Sequence, residues 1–173
     1  MKSNRKKILK EIIRVNQAGE YGAQQIYAGQ IAFTKDNALK KTLKKIAKEE
    51  YEHLEYFEKL ALKKRVRPTL MNVLWKTGGY ALGSLTAIMG KNYVMACTEA
   101  VEDEIVKHYR KQLEVLQNSG EEEIKNKISK FLKDENNHRK TGKKNTKDNI
   151  RTFIFKSLIK EITKSAIKIS KRI

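Results

Sequence analysis

The 173-residue chain predicts an all-α protein on three observations. Pro occurs once and Gly nine times, against abundant Lys, Glu, Leu, Ile and Ala, the residues that build helices. Apolar residues recur at three- and four-residue spacing in segment after segment. No alternating Val, Ile and Thr run between turn residues reads as a strand or hairpin. A chain of this length suits one domain, 1–173, with a single core.

Residues 5 to about 33 read as a first helix, with Leu9, Ile12, Val15, Gly19, Ala23, Ile26 and Gln30 on one face and Glu20 beside it. Gly19, Gly22 and Gly29 each cost that helix about 1 kcal/mol relative to Ala. They suit close helix packing or room for a cofactor next to Glu20. After the turn signal Thr34-Lys35-Asp36-Asn37, a second helix runs to about residue 64. Its stripe of Leu43, Ile46, Ala47, Leu54, Phe57, Leu60 and Ala61 is interrupted by Glu50 and His53, a carboxylate and an imidazole at core positions.

Val66-Arg67-Pro68 marks a break. Residues 69–90 carry one charge, Lys76, and predict an apolar crossover helix, either buried or dipping into a membrane surface with Trp75 and Tyr80 at the interface. The next helix spans about 91–118, with Val94, Cys97, Val101, Ile105, Tyr109, Gln112 and Leu116 on one side, Glu102 at the edge, and Asn118-Ser119-Gly120 ending it. Another covers about 121–140, and here Glu135 and His138 interrupt the stripe of Ile124, Ile128, Phe131 and Gly142. Residues 139–149 are polar and basic and read as a loop. From Ile150 the tail is amphipathic: Ile150, Ile154, Leu158, Ile162 and Ala166 form one face, and Lys156, Lys160, Lys164 and Lys168 another. Such a tail packs against the bundle or lies on an anionic membrane.

The net charge of +18 suits nucleic acid, an anionic membrane or acidic partners. The lysines are spread along nearly every segment and form no compact patch interleaved with aromatics, which argues against nucleic acid. A single cysteine, Cys97, excludes an intramolecular disulfide and a cysteine-based zinc site; its apolar neighbours make it a buried small residue. Glu11 and Arg14 interrupt any signal-peptide core, and no stretch reaches 18 uncharged apolar residues. The expectation is a protein without signal or transit peptide.

Glu50-x-x-His53 and Glu135-x-x-His138 are each preceded by a helix carrying a suitably placed Glu, Glu20 and Glu102. The two halves thus read as an internal repeat. Spacing of three puts Glu and His on one helix face, able to reach one metal or adjacent metals. Buried carboxylates need compensating positive charge. Four of them balance two divalent ions with both imidazoles neutral. This ligand set is that of ferritin-like di-iron and di-manganese bundles, and mixed carboxylate and imidazole ligation favours iron or manganese over copper or structural zinc.

The chain resembles the di-iron demethoxyubiquinone hydroxylases of ubiquinone biosynthesis over about residues 11–173. The resemblance is carried by IIRVNQAGEYGAQQIYAGQ, EEYEHLEYF, RVRPTLMNVLW, GYALGSLTAIMG and MACTEAVEDEIVKHYRKQ. It implies a ferritin-like four-helix bundle with a long apolar crossover helix and an amphipathic C-terminal helix. Glu20, Glu50, His53, Glu102, Glu135 and His138 match the family's iron ligands. His108 and Tyr109 match a pair that relays electrons or protons to the site; pairing of His108 with Glu104 is the bland alternative. Gln17, and Arg139-Lys140 after His138, depart from the family pattern.

The implied activity is a monooxygenase reaction. Two Fe ions in a carboxylate-bridged centre activate dioxygen, NADH or another reductant supplies electrons, and the ring of a polyprenylated methoxy-benzoquinol is hydroxylated. Implied partners are the quinol, a membrane surface contacted by residues 68–90, and a second copy or a ubiquinone-biosynthesis complex. The implied location is peripheral, on the cytoplasmic face of the inner membrane. A ferritin-like iron-handling or peroxide-reducing protein shares the ligand logic without a lipid substrate.

Overall fold

The computed structural model describes residues 2–117 and 119–172, with side chains from residue 5 onward. Among these the chain forms six helices and no strand: α1 (Lys2–Phe33), α2 (Asn37–Lys64), α3 (Asn72–Met89), α4 (Lys91–Leu116), α5 (Glu122–Asn145) and α6 (Ile150–Ser170). The all-α class is as the sequence predicts. Asn118, expected in the turn after α4, lies outside the described residues.

Two compact units divide the chain, residues 1–94 with 165–173, and residues 95–164. In the first, α1 packs on α2 and α3 around Ile13, Tyr27, Leu43 and Phe57, all buried. Asp36 caps α2 by accepting a hydrogen bond from Leu39 N at 3.0 Å. Arg65 closes it in the left-handed conformation (φ 51°), its N–H donating to Leu62 O at 3.1 Å. Arg14 donates from Nε to Arg67 O at 3.1 Å and from Nη1 to Lys171 O at 3.4 Å, tying α1 to the α2–α3 link and to the end of the chain.

The helices α1 and α3 meet backbone to backbone. A Cβ on Gly29 would lie 2.7 Å from Ser84 N and also strike Tyr80 O; one on Gly83 would strike Ile26 O. Of the two uses the sequence allows for the α1 glycines, Gly29 serves close packing.

In the second unit, Met95, Tyr109, Leu116, Ile124, Ile128 and Ile159 are buried. One feature differs from the sequence reading and another narrows it. The helix α5 continues through the predicted loop to Asn145, because Gly142 lies against α4, where a Cβ would stand 2.6 Å from Glu99 N and 2.9 Å from Met95 O. The helix α6 is turned so that two of its lysines face the chain: Lys156 pairs with Glu99 at 3.1 Å and Asp148 at 2.7 Å, and Lys160 with Asp103 at 2.7 Å, while Lys164 and Lys168 are exposed. Its apolar stripe of Ile150, Ile154, Leu158 and Ile162 is exposed, so that stripe does not pack on the chain's own core.

Candidate metal centre

Each unit carries one buried triad of two glutamates and a histidine. In the first, α1 presents Glu20 while α2 presents Glu50 and, three residues on, His53 on the same face. One ligand atom from each lies within 4.8 Å of the others. His53 Nδ1 stands 3.8 Å from both Glu20 Oε2 and Glu50 Oε2. That is too long for a hydrogen bond. It is the separation of donors sharing one ion, which at bonds of about 2.1 Å stand roughly 3 to 4 Å apart.

In the second unit, α4 presents Glu102 while α5 presents Glu135 and His138, again with ligand atoms within 4.8 Å of one another. His138 Nδ1 lies 3.4 Å from Glu135 Oε2. The four carboxylates are 4 % (Glu20), 1 % (Glu50), 2 % (Glu102) and 1 % (Glu135) exposed. At that burial a carboxylate needs a cation or a dense set of donors. Thr98, one turn before Glu102, has a buried hydroxyl without a hydrogen-bond partner, the kind of group that a metal-bound water satisfies. Oxygen-rich donors with one imidazole per triad fit a divalent ion such as iron or manganese.

The surroundings are electrostatically uneven. Burial, and then the Glu102 carboxylate, push the Cys97 thiol up to about 12, so Cys97 is an inert packing residue as the sequence suggests. Next to Glu102, Asp103 is a hub that the sequence reading misses. It accepts from Lys107 at 2.9 Å, Lys160 at 2.7 Å and Arg139 at 3.3 Å. Desolvation alone would raise its carboxyl, but the hydrogen bonds from Lys160 and Lys107 hold it far below the usual carboxylate range. Only the Asp103/Lys107 spacing hinted at this role; the Lys160 and Arg139 partners are distant in sequence. Arg139, where the chain departs from the family pattern, also donates to Asn136 Oδ1 at 2.9 Å.

Tyr109 is buried as predicted. Gln112 Nε2 lies 2.7 Å from His108 Nε2, and Glu104, the bland alternative partner for His108, is engaged by Lys107 at 2.8 Å. Gln17, the other departure, accepts from Asn72 Nδ2 at 3.3 Å and so links α1 to α3.

Known proteins bear on both triads. The family described as ubiquinone biosynthesis protein COQ7 matches residues 7–170. The chain is 38 % identical over 172 residues to a protein of Dictyostelium discoideum named NADPH-dependent 3-demethoxyubiquinone 3-hydroxylase, mitochondrial, covering 98 % of this chain and 79 % of that one. Its identity to the human protein of the same name is 39 % over 166 residues, covering 94 % and 76 %. The 3-demethoxyubiquinol 3-hydroxylase of Rhodospirillum rubrum is 38 % identical over 170 residues, covering 96 % and 79 %. A family match over nearly the whole length, with such relatives from a bacterium, an amoeba and a mammal, leaves one conclusion: the chain belongs to the COQ7 family of ubiquinone biosynthesis proteins.

Proposed function

We propose that the chain hydroxylates the ring of a polyprenylated methoxy-benzoquinol in ubiquinone biosynthesis, using two iron ions held by Glu20, Glu50, His53, Glu102, Glu135 and His138. The observation that carries this reading is the pair of buried Glu/Glu/His triads in a chain whose relatives are named demethoxyubiquinone and demethoxyubiquinol hydroxylases. The iron pair, when bound, supplies the reductive activation of dioxygen from which one oxygen atom passes to the ring.

The chain's own residues set the conditions. The four glutamates neutralise two ferrous ions and leave both imidazoles uncharged, so a buried centre forms without net charge. The two units act together as one ferritin-like domain. Tyr109 lies seven residues after Glu102, close to two turns along the same helical face, and with His108 it moves protons or electrons to the centre. Gln112, against His108 Nε2, fixes the orientation of that imidazole. The electron donor is a nicotinamide, NADH or the NADPH of the relatives' names.

A polyprenyl substrate dissolves in lipid, and two exposed apolar surfaces support contact with it. Leu70, Val73, Leu74, Leu85 and Ile88 lie in or beside α3, and Ile150, Phe153, Ile154 and Leu158 lie on α6. No helix among the described residues is long and apolar enough to cross a membrane, so the contact we propose is peripheral, at the cytoplasmic face. The same surfaces serve a second copy or a ubiquinone-biosynthesis complex as docking area.

The test supplies iron-loaded protein with the demethoxylated quinone, reductant and oxygen, and looks for a mass gain of one oxygen atom. That product is expected. Stoichiometric iron binding without it would instead favour an iron-handling or peroxide-reducing protein.

A further inference from the structure

The first unit holds a second charged feature, away from the carboxylates. Lys6, Lys7, Lys10 and Arg14 of α1 and Lys171 and Arg172 at the chain's end line a cleft of about 630 Å³. Among the described residues, Glu11 is the only acid in its wall. Its volume suits a small-molecule ligand, but ligand pockets are mostly apolar, and this one is lined by long charged side chains. The six cations repel one another and Glu11 offsets only part of that repulsion, so the cleft is more favourable occupied by an anion than open.

Three details direct the reading toward a phosphate group. Two carbonyls, Arg67 O and Lys171 O, hold the Arg14 guanidinium, which limits its motion and pre-organises a planar donor of the kind that recognises phosphate. Lys6 and Lys10, Lys7 and Lys10, and Lys10 and Arg14 are three or four residues apart, so one face of α1 presents these cations together. Among the described residues the wall contains no aromatic side chain, and so no stacking surface of the kind a nucleic-acid strand would use. The chain's charge of +18 is mostly dispersed; here it converges.

We propose that this cleft is a binding site for a phosphate ester. Two sources share that chemistry, the headgroup of an anionic phospholipid and the phosphates of a soluble dinucleotide. The dinucleotide source rests on the nicotinamide donor of the hydroxylation reading, but binding is measured on metal-free protein without turnover, so the failure of one is distinguishable from the failure of the other.

The experiment compares the full chain with the triple variant Lys6→Gln, Lys7→Gln, Lys10→Gln. These side chains are exposed or half-exposed, so the variant folds. A second triple variant, Lys41→Gln, Lys44→Gln, Lys48→Gln, removes the same charge from the exposed side of α2. Each protein is titrated with NADPH, with NADH and inorganic phosphate as comparators, and co-sedimented with vesicles of phosphatidylglycerol in phosphatidylcholine. The cleft variant is expected to lose about tenfold or more in affinity for one probe, and the α2 variant much less. Lysine-dependent binding of NADPH that inorganic phosphate displaces assigns the soluble source. Lysine-dependent vesicle binding that NADPH leaves unchanged assigns the lipid headgroup. Equal binding by all three proteins, equal loss in both variants, or no binding of any probe overturns the proposal.

Discussion

Lys160 Nζ lies 2.7 Å from Asp103 Oδ2, and this contact joins α6 to the helix that carries Glu102. Because Lys107 and Arg139 reach the same carboxylate, Asp103→Asn should destabilise the metal-free protein by about 1 to 2 kcal/mol at neutral pH. The folded carboxyl is depressed below its unfolded value of about 3.9, so its contribution is complete above that value and fades as pH falls through it toward the folded value. Urea denaturation at pH 7 and pH 3 should find the gap between wild type and variant narrower at pH 3. A constant gap would contradict the assignment.

Glu50 supplies a second prediction. In metal-free protein the Glu20 and Glu50 carboxyl groups are crowded together in one buried triad. Glu50→Gln should raise the apo melting temperature, by an amount equivalent to about 1 kcal/mol, while abolishing the rise that ferrous ion gives the wild type. Anaerobic thermal scans with and without iron read both effects, and colorimetric iron assay should fall from two per chain. An unchanged iron response in the variant would remove Glu50 from the ligand set.

Packing between α1 and α3 gives a third. Gly83→Ala places a methyl against Ile26 O and within 3.0 Å of Gln30 N, both backbone and unable to move aside. A loss of about 1 to 3 kcal/mol is expected in chemical denaturation. Gly78→Ala, where nothing lies within 4 Å, should cost nothing and stabilise slightly through helix propensity.

Cys97 gives a fourth. A buried thiol pushed up to about 12 is neutral throughout pH 7–9. Iodoacetamide should leave native protein unlabelled over that range and label it once per chain in denaturant, as read by intact mass.

These residues also mark what the sequence makes legible. Glu50, His53, Glu135 and His138 stand out because each replaces an apolar residue in a 3.6-period stripe, and the structure buries all four. Glu20 and Glu102 lie at stripe edges and need the duplicated pattern to be noticed. The α5 terminus is misread because composition alone governs the reading of residues 139–145, whereas Gly142 against α4 decides it. The orientation of α6 is hidden for a similar reason. Hydrophobic periodicity locates an apolar face without saying whether it turns inward, and here Glu99 and Asp103 on another helix recruit Lys156 and Lys160 instead. Asp103 itself is legible only once its partners from α5 and α6 are in place.

The inverted seating of α6 separates two dependences on ionic strength. Beside the buried Ile159, part of its attachment to the chain runs through Lys156 and Lys160, partly exposed charge pairs that dissolved salt weakens. Its outward Ile150, Phe153, Ile154 and Leu158 respond to salt in the opposite sense, because salting-out ions strengthen apolar association. Sulfate therefore weakens these charge pairs while favouring transfer of the outward face to any apolar phase in reach, making α6 the segment through which the electrolyte partitions the protein between solution and surface.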